Sequence, residues 1–291
     1  AAATAPLVGL GAAEQAAAAL LALVLRWKIA FTACKMAALA AAVRLHPRMR
    51  AQSAPAQVLF VLLVATGGSS CAYLLSRLAV PPLLANAAYV PAAISAWAVM
   101  RAAPGNLGLR LYAWPAVKLL LACGACLSRA CTTLAVFRVA SAAYAQEGSE
   151  NPWMLAAAMV AGGIGGGEVQ RVLLAWAGDR VAPSQLARPS WPLESSVALA
   201  LAWIVLLNPF GVLYAGPVLD EAVVFVTTAA LLVAHCVASA RAGSTYSPAL
   251  FSFVSKRLAQ EQGLEAQGPS GPAQKVPQPP VDGEASKRKK L

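Results

Sequence analysis

Long apolar runs recur along this chain, each close to the length a lipid bilayer demands, and they leave it little choice of environment. A helix crossing the hydrocarbon core needs roughly 20 mostly apolar residues. Against that ruler seven stretches qualify: 19–43, 56–76, 83–101, 114–139, 153–176, 194–214 and 217–240. The breaks between them carry turn residues: Pro47 and Pro55, Pro81-Pro82, Pro104-Gly105, Gly148 to Pro152, Pro183 to Pro192, and Pro217. Only 12% of the residues are charged and 59% are hydrophobic, whereas soluble domains carry about 25% charged residues. A soluble chain of this make-up would need one oversized core. A β-barrel would alternate apolar and polar residues, and here the apolar runs are continuous. The expected fold is an all-α membrane protein with seven transmembrane helices.

The loop charges alternate, as they do when cations set a topology. Arg44, Arg48 and Arg50 follow the first span, Arg101 and Arg110 the third, and Arg180 and Arg188 (against Asp179) the fifth. Arg241, Lys256 and Arg257 follow the seventh. The intervening loops hold Glu147 and Glu150, then Asp220 and Glu221, with Arg77 the main exception. The C-terminus is therefore expected in the cytosol and the N-terminus across the membrane. The net charge of +11 lies in loops and tail, without a basic stripe interleaved with aromatics, so nucleic acid is not an expected partner. Residues 1–16 lack the basic region of a cleavable signal peptide.

Two glycine clusters interrupt apolar spans about a hundred residues apart: Thr66-Gly67-Gly68-Ser69 and Gly162-Gly163-Ile164-Gly165-Gly166-Gly167. Breaks at matched places suggest a duplicated unit with broken helices, the pattern that points to a binding or permeation site. Freed carbonyls must then line a cavity or be buried in protein. Close helix packing competes with that reading, because Gly162 and Gly166, like Gly163 and Gly167, have the small-xxx-small spacing of tight helix crossings.

Ionisable residues inside spans are expensive, and each is a functional candidate. Lys28 and Lys35 fall in the first span, Lys118 and Arg129 in the fourth, Glu168 in the fifth and His235 in the seventh. Lys28 and Lys118 lie near span ends, where snorkelling to the headgroups competes with a pathway role. Lys35 and Arg129 are deeper, and a pathway or lipid-headgroup role is expected of them. Glu168 can pair with a cation or with exposed backbone. His235, a lone histidine, reads as a hydrogen-bonded packing residue. All six cysteines lie in apolar stretches, and Cys123-x-x-Cys126, despite its metal or redox spacing, reads as two small packing residues. No nucleophile elbow, zinc-protease helix or phosphate loop is present, so no enzyme, metal centre or cofactor is expected.

Several landmarks in order give the chain a resemblance to the trimeric intracellular cation channels (TRIC) of the endoplasmic and sarcoplasmic reticulum. Ala54-Pro55 ahead of Gly68-Ser69 resembles that family's His-Pro and Gly-Ser pair. Ala96-Trp97 with Pro104, and Pro115-Ala116-Val117-Lys118-Leu119, are similar to its third helix and to the opening of its fourth. Trp153 and the glycines after it, Ser190-Trp191-Pro192 with Ser196, and Ser247-Pro248 follow in the family's order. The resemblance implies two inverted three-helix repeats plus a seventh helix, a homotrimer, and one potassium pore per protomer that supplies counter-ion current during calcium release. The family's fourth helix carries Lys-Glu-x-x-Arg-x-x-Lys. Here that stretch reads Ala125-Cys126-Leu127-Ser128-Arg129-Ala130-Cys131-Thr132, and only Arg129 matches. Voltage gating through that lysine and phosphoinositide binding in the family's manner are therefore not carried over.

The expected organisation is an N-terminal non-cytosolic segment (1–18), a channel domain (19–243) and a basic, largely disordered cytosolic tail (244–291). The tail ends Lys287-Arg288-Lys289-Lys290-Leu291, whose lysine spacing resembles a dilysine retrieval signal of the reticulum. Gly67, Gly68, Ser69, Gly162, Gly163, Gly166 and Gly167 are the expected pore and kink residues, with Ser70 a further hydroxyl beside them. Lys35, Lys118 and Arg129 are the expected gating or lipid-binding residues, a phospholipid or phosphoinositide being the lipid. A secondary transporter of inverted-repeat design and a non-conducting membrane scaffold are the competing functions.

Overall fold

The protein is represented by a computed structural model, which describes residues 11–76, 86–102, 106–149, 151–178, 191–211, 213 and 219–241. The tail, its dilysine-like end, Ser247-Pro248, Arg77, Pro81-Pro82, Pro104-Gly105, Glu150, Asp179, Arg180, Arg188 and Ser190 lie outside the described residues. Within them the secondary structure is helical, with no strand. The order is α1 (Ala12–Arg26), α2 (Lys28–Leu45), α3 (Pro47–Arg50), α4 (Ala54–Leu75), α5 (Tyr89–Ala102) and α6 (Leu107–Ala113). Then follow α7 (Pro115–Gln146), α8 (Pro152–Trp176), α9 (Trp191–Leu207) and α10 (Glu221–Arg241).

Local chemistry sets the helix ends. Proline sits in the opening positions of α3, α4, α7 and α8, where its missing N–H leaves no bond unmade. The Asn151 side chain caps α8 by accepting from the Trp153 N–H at 2.9 Å. The C-termini of α7 and α8 are closed by Gly148 and Gly178, whose φ of 66° and 79° a residue with a Cβ adopts only under strain. At the first of these, Ser149 N–H bonds back to the Tyr144 carbonyl at 2.8 Å.

By length and composition, Ala54–Leu75, Pro115–Gln146 and Glu221–Ala238 each suffice to cross a membrane. The first expected span, 19–43, is corrected: it is not one rod but α1 and α2, bent by 54° at Trp27. The 18 residues of α2 already cover about 27 Å, close to a full hydrocarbon core. The apolar run is thus longer than one crossing needs, and the surplus folds aside. It buries Ala17 and Leu21 against α7 and α10 and leaves Trp27 and Lys28 exposed at the bend. The remaining helices α5, α8 and α9 stand where the third, fifth and sixth spans are expected, with 14, 25 and 17 residues.

Buried side chains form two clusters. One joins α2, α3, α4, α5 and α6 around Met36, Val43, Phe60 and Tyr112. The other joins α1, α7, α8, α9 and α10 around Leu134, Phe137, Trp203 and Phe225. The halves meet through two antiparallel pairs. Between α2 and α7, Thr32 faces Ser128 and Cys34 faces Gly124. Between α4 and α8, Val64 faces Gly166 and Gly68 faces Gly162. Corresponding helices of the two halves therefore run in opposite directions against each other, the arrangement of an inverted repeat. The seventh, α10, lies outside the repeats and packs on α7.

Candidate functional site

At the α4–α8 crossing the backbones of the two halves come close together, and the two glycine clusters permit it. A Cβ on Gly68 would fall onto the Gly162 carbonyl oxygen, and one on Gly166 would lie 2.8 Å from the Val64 carbonyl oxygen. A Cβ on Gly165 would lie 3.0 Å from Cys71 and from the Gly68 Cα, and one on Gly67 would lie 2.9 Å from Val169 Cγ2. Close approach is the reason small residues are placed at membrane helix interfaces.

The expected breaks at these glycines are corrected. Both α4 and α8 are continuous helices through their clusters. Once the two backbones touch, each helix keeps its own ladder and the missing Cβ atoms are spent on contact. No carbonyl is freed by unwinding, but one is approached from outside. The Lys35 Nζ, reaching over from α2, donates to the Ala65 carbonyl oxygen of α4 at 2.8 Å. That carbonyl lies just ahead of Gly67, and the Lys35 Nζ is only 3.8 Å from where a Gly166 Cβ would be.

Arg129 of α7 approaches the same run of α8. Its Nη2 is 3.6 Å from the position of a Gly163 Cβ. The same nitrogen donates to the Pro192 carbonyl at 2.9 Å, Ser195 Oγ at 2.9 Å and Ser196 Oγ at 2.6 Å, all at the start of α9. Thr32 and Ser128, at 3.2 Å, join α2 to α7 beside the two cations. Lys35 and Arg129 are both half-buried, and each charge acts on the other. The arrangement puts two positive charges, several hydroxyls and main-chain carbonyls at one level of an otherwise apolar bundle. It can attract anions, repel a passing cation, or hold a hydrogen-bonded closed state.

Among the expected site residues, Lys35, Arg129, Gly67, Gly68, Gly162, Gly163 and Gly166 are brought together here. Ser69 is close by, donating to the Thr66 carbonyl at 2.8 Å, and Ser70 and Gly167 are half-buried neighbours on α4 and α8. Lys118 is not part of the group. It lies in the opening of α7, about 16 Å along the helix axis from Arg129. Lys28 is exposed at the α1–α2 bend. Glu168 pairs with Arg171 on its own helix at 2.8 Å, and His235 is half-buried on α10. No group of His, Cys, Asp or Glu among the described residues is arranged to hold a metal ion.

Several polar residues of the interior were not singled out from sequence. Ser195 and Thr32 gave no motif, although Ser195-Ser196, one turn after Pro192 at a span start, is a hydroxyl pair worth noting. Gln57 is buried, and its Nε2 donates to the Met49, Arg50 and Gln52 carbonyls at 2.9 to 3.1 Å. Its Oε1 accepts from Trp97 Nε1 at 2.8 Å, tying the arginine-rich turn to α4 and α5. Arg138 of α7 pairs with Glu221 of α10 at 2.7 Å.

No family model matches the sequence, and no curated relative does. Solved structures do match. A TRIC counter-ion channel described for its activity in calcium release superposes with a TM-score of 0.63 at 16% identity, over 74% of this chain and 93% of that one. A trimeric intracellular cation channel from C. elegans without Ca2+ gives 0.59 at 21% identity, over 72% and 88%. The C. elegans channel with bound Ca2+ gives 0.62 at 18% identity, over 78% and 97%. The antiparallel pairing of corresponding helices and these superpositions lead to one conclusion: the chain is a multi-pass helical membrane protein with the fold of the trimeric intracellular cation channels.

Proposed function

We propose that this protein is a monovalent cation channel of the TRIC family. It conducts potassium through one pore per protomer of a homotrimer in the endoplasmic or sarcoplasmic reticulum membrane, as counter-ion current for calcium release. The observation that carries the reading is the convergence of Lys35 and Arg129 on the α4–α8 glycine crossing, deep in the bundle. Charged residues at membrane depth mark ion pathways and their gates. A fixed cation lowers cation occupancy in a pore, so the Lys35–Ala65 bond describes a closed gate rather than a conducting site. The route runs along the crossing, past Ser69, Ser128 and Ser196. Lys118, in the first turn of α7, is assigned to phospholipid headgroups.

Single-channel recording of the purified protein in planar bilayers tests this. Potassium currents above empty-bilayer controls, lost in a reconstituted protein that is not trimeric, are the expected result. Their absence from correctly assembled trimers rejects the channel. A second reading, a non-conducting scaffold, draws support from the backbone-tight glycine packing itself. It is selected if Gly67→Leu and Gly166→Leu disrupt assembly while no flux is found in the unsubstituted protein.

A further inference from the structure

The cysteines Cys123 and Cys126 are one helical turn apart, so they share a face of α7. The helix packs against α10, and there the buried Cys236 interacts with both thiols. Sequence spacing alone made the pair a packing feature. The third thiol, more than a hundred residues away in the chain, changes what the pair can do. All of these cysteines are free thiols, and the trio lacks the arrangement of a metal site.

We propose that Cys123, Cys126 and Cys236 form an oxidation-sensitive trithiol, in which Cys236 makes a reversible disulfide with Cys126 or Cys123 and staples α10 to α7. The exposure of the three thiols sets the order of events. Cys123 and Cys126 are partly exposed, whereas Cys236 is buried. A small uncharged oxidant that enters bilayers, hydrogen peroxide, reaches an α7 thiol first. Its O–O bond breaks, one oxygen is transferred to sulfur as a sulfenic acid, and water leaves. The Cys236 sulfur then attacks the sulfenic sulfur, the S–O bond breaks, and a second water leaves with the Cys236 proton. Overall two thiols are oxidised by two electrons and one peroxide is reduced to two waters. A dithiol reductant reverses the bond by exchange. Two acceptor thiols on one face let the staple form in either of two positions. The consequence is mechanical: α7 carries Arg129, and α10 is the helix outside the repeats, so the bond ties the two together.

The test uses the full-length protein in lipid nanodiscs, fully reduced and then exposed to hydrogen peroxide. Remaining thiols are alkylated and the protein is digested without reduction for mass spectrometry. The expected result is a Cys236–Cys126 or Cys236–Cys123 linked peptide within one chain, two of the six thiols lost, and full recovery with dithiothreitol. Cys126→Ser should shift the linkage to Cys123, and Cys236→Ser should abolish it. Six alkylated thiols at a dose that oxidises a reference vicinal dithiol would overturn the proposal. So would linkage between Cys123 and Cys126, between subunits, or through Cys34, Cys71 or Cys131 only. The readout is covalent and does not depend on conductance, so it stands or falls separately from the channel.

Discussion

Gly68 and Gly162 meet backbone to backbone, with the Gly162 carbonyl oxygen standing where a Gly68 Cβ would have to be. Two helices from opposite halves of the molecule are thereby held at a separation only glycine permits. The contact is asymmetric. A Cβ on Gly162 would meet Val136 Cγ2 at 3.3 Å and Ala72 Cβ at 3.6 Å, side-chain atoms that can yield slightly.

Gly68→Ala and Gly162→Ala should therefore differ sharply. Alanine gains about 1 kcal/mol of helix propensity at either place. At Gly68 the clash with backbone outweighs that gain and gives a net loss of about 2 kcal/mol or more. At Gly162 the net change stays within about 1 kcal/mol. Thermal unfolding of the two variants in detergent is the measurement, and equal midpoints would refute the close-approach account.

Removing the charge at Lys35 should open the proposed pathway. Lys35→Met loses the bond to the Ala65 carbonyl and the positive field on passing cations. Potassium current in bilayers should rise by about threefold or more, equivalent to ~0.7 kcal/mol. Lys35→Arg should stay near the unsubstituted level. A fall in current for Lys35→Met, at unchanged assembly, would show that the lysine aids conduction instead of opposing it.

Arg129→Ala should destabilise the junction of α7 with α9. The guanidinium nitrogen serves three acceptors at the start of α9, and bonds to charged groups are worth about 1.5–3 kcal/mol. Ser195 and Ser196 already donate to the Pro192 carbonyl, so the serines keep a partner and the expected loss is nearer 1–2 kcal/mol. Arg129→Ala should also cancel the added effect of Ser196→Ala in a double-mutant cycle. Additive losses would mean the two are not coupled.

Gln57→Leu should be among the costliest single changes. It takes the side-chain partner from the Arg50 and Gln52 carbonyls and from the Trp97 indole N–H, while the Met49 carbonyl keeps the Gln52 N–H at 3.1 Å. With unsatisfied buried groups costing about 1–3 kcal/mol each and water able to rescue some of them, a loss of about 2–4 kcal/mol is expected. Trp97→Phe, which removes one donor and keeps the ring's bulk, should cost about 1 kcal/mol. Calorimetric or fluorescence melting distinguishes them.

Tyr112→Phe should be neutral or stabilising by up to about 1 kcal/mol. The Tyr112 hydroxyl is buried with no hydrogen-bond partner among the described residues, so deleting it removes a desolvated group at little loss of packing. A large destabilisation would show that the hydroxyl finds a partner in the membrane-embedded assembly.

Hydropathy located the long elements because the bilayer imposes a length on any apolar helix; α4 and α10 coincide with the expected spans to within a few residues, and α7 continues past the expected end at 139 to Gln146. It misread the first span by running one apolar stretch through Arg26, Trp27 and Lys28, although the two cations flanking Trp27 mark the place where the rod bends. The glycine clusters were legible as unusual positions, and close packing stood beside helix breaking as a reading of them. Which of the two holds depends on what lies opposite each glycine. The partners of Arg129 were hidden for a similar reason: Ser195 and Ser196 are 66 and 67 residues away, and Ser196 stood out only as a landmark of the family resemblance.

Composition and spacing alone determined that the chain lives in a membrane, how many apolar helices it offers, and which few charges and glycines are out of place there. Those properties follow from transfer free energies of individual residues, which need no knowledge of neighbours. Only the tertiary structure decided that Gly68 lands on Gly162, that Lys35 and Arg129 converge on one crossing, and that Cys236 joins Cys123 and Cys126. Those outcomes depend on which antiparallel helices pack and in what register, and in lipid that choice is set by shape and hydrogen bonding between distant segments rather than by hydrophobicity.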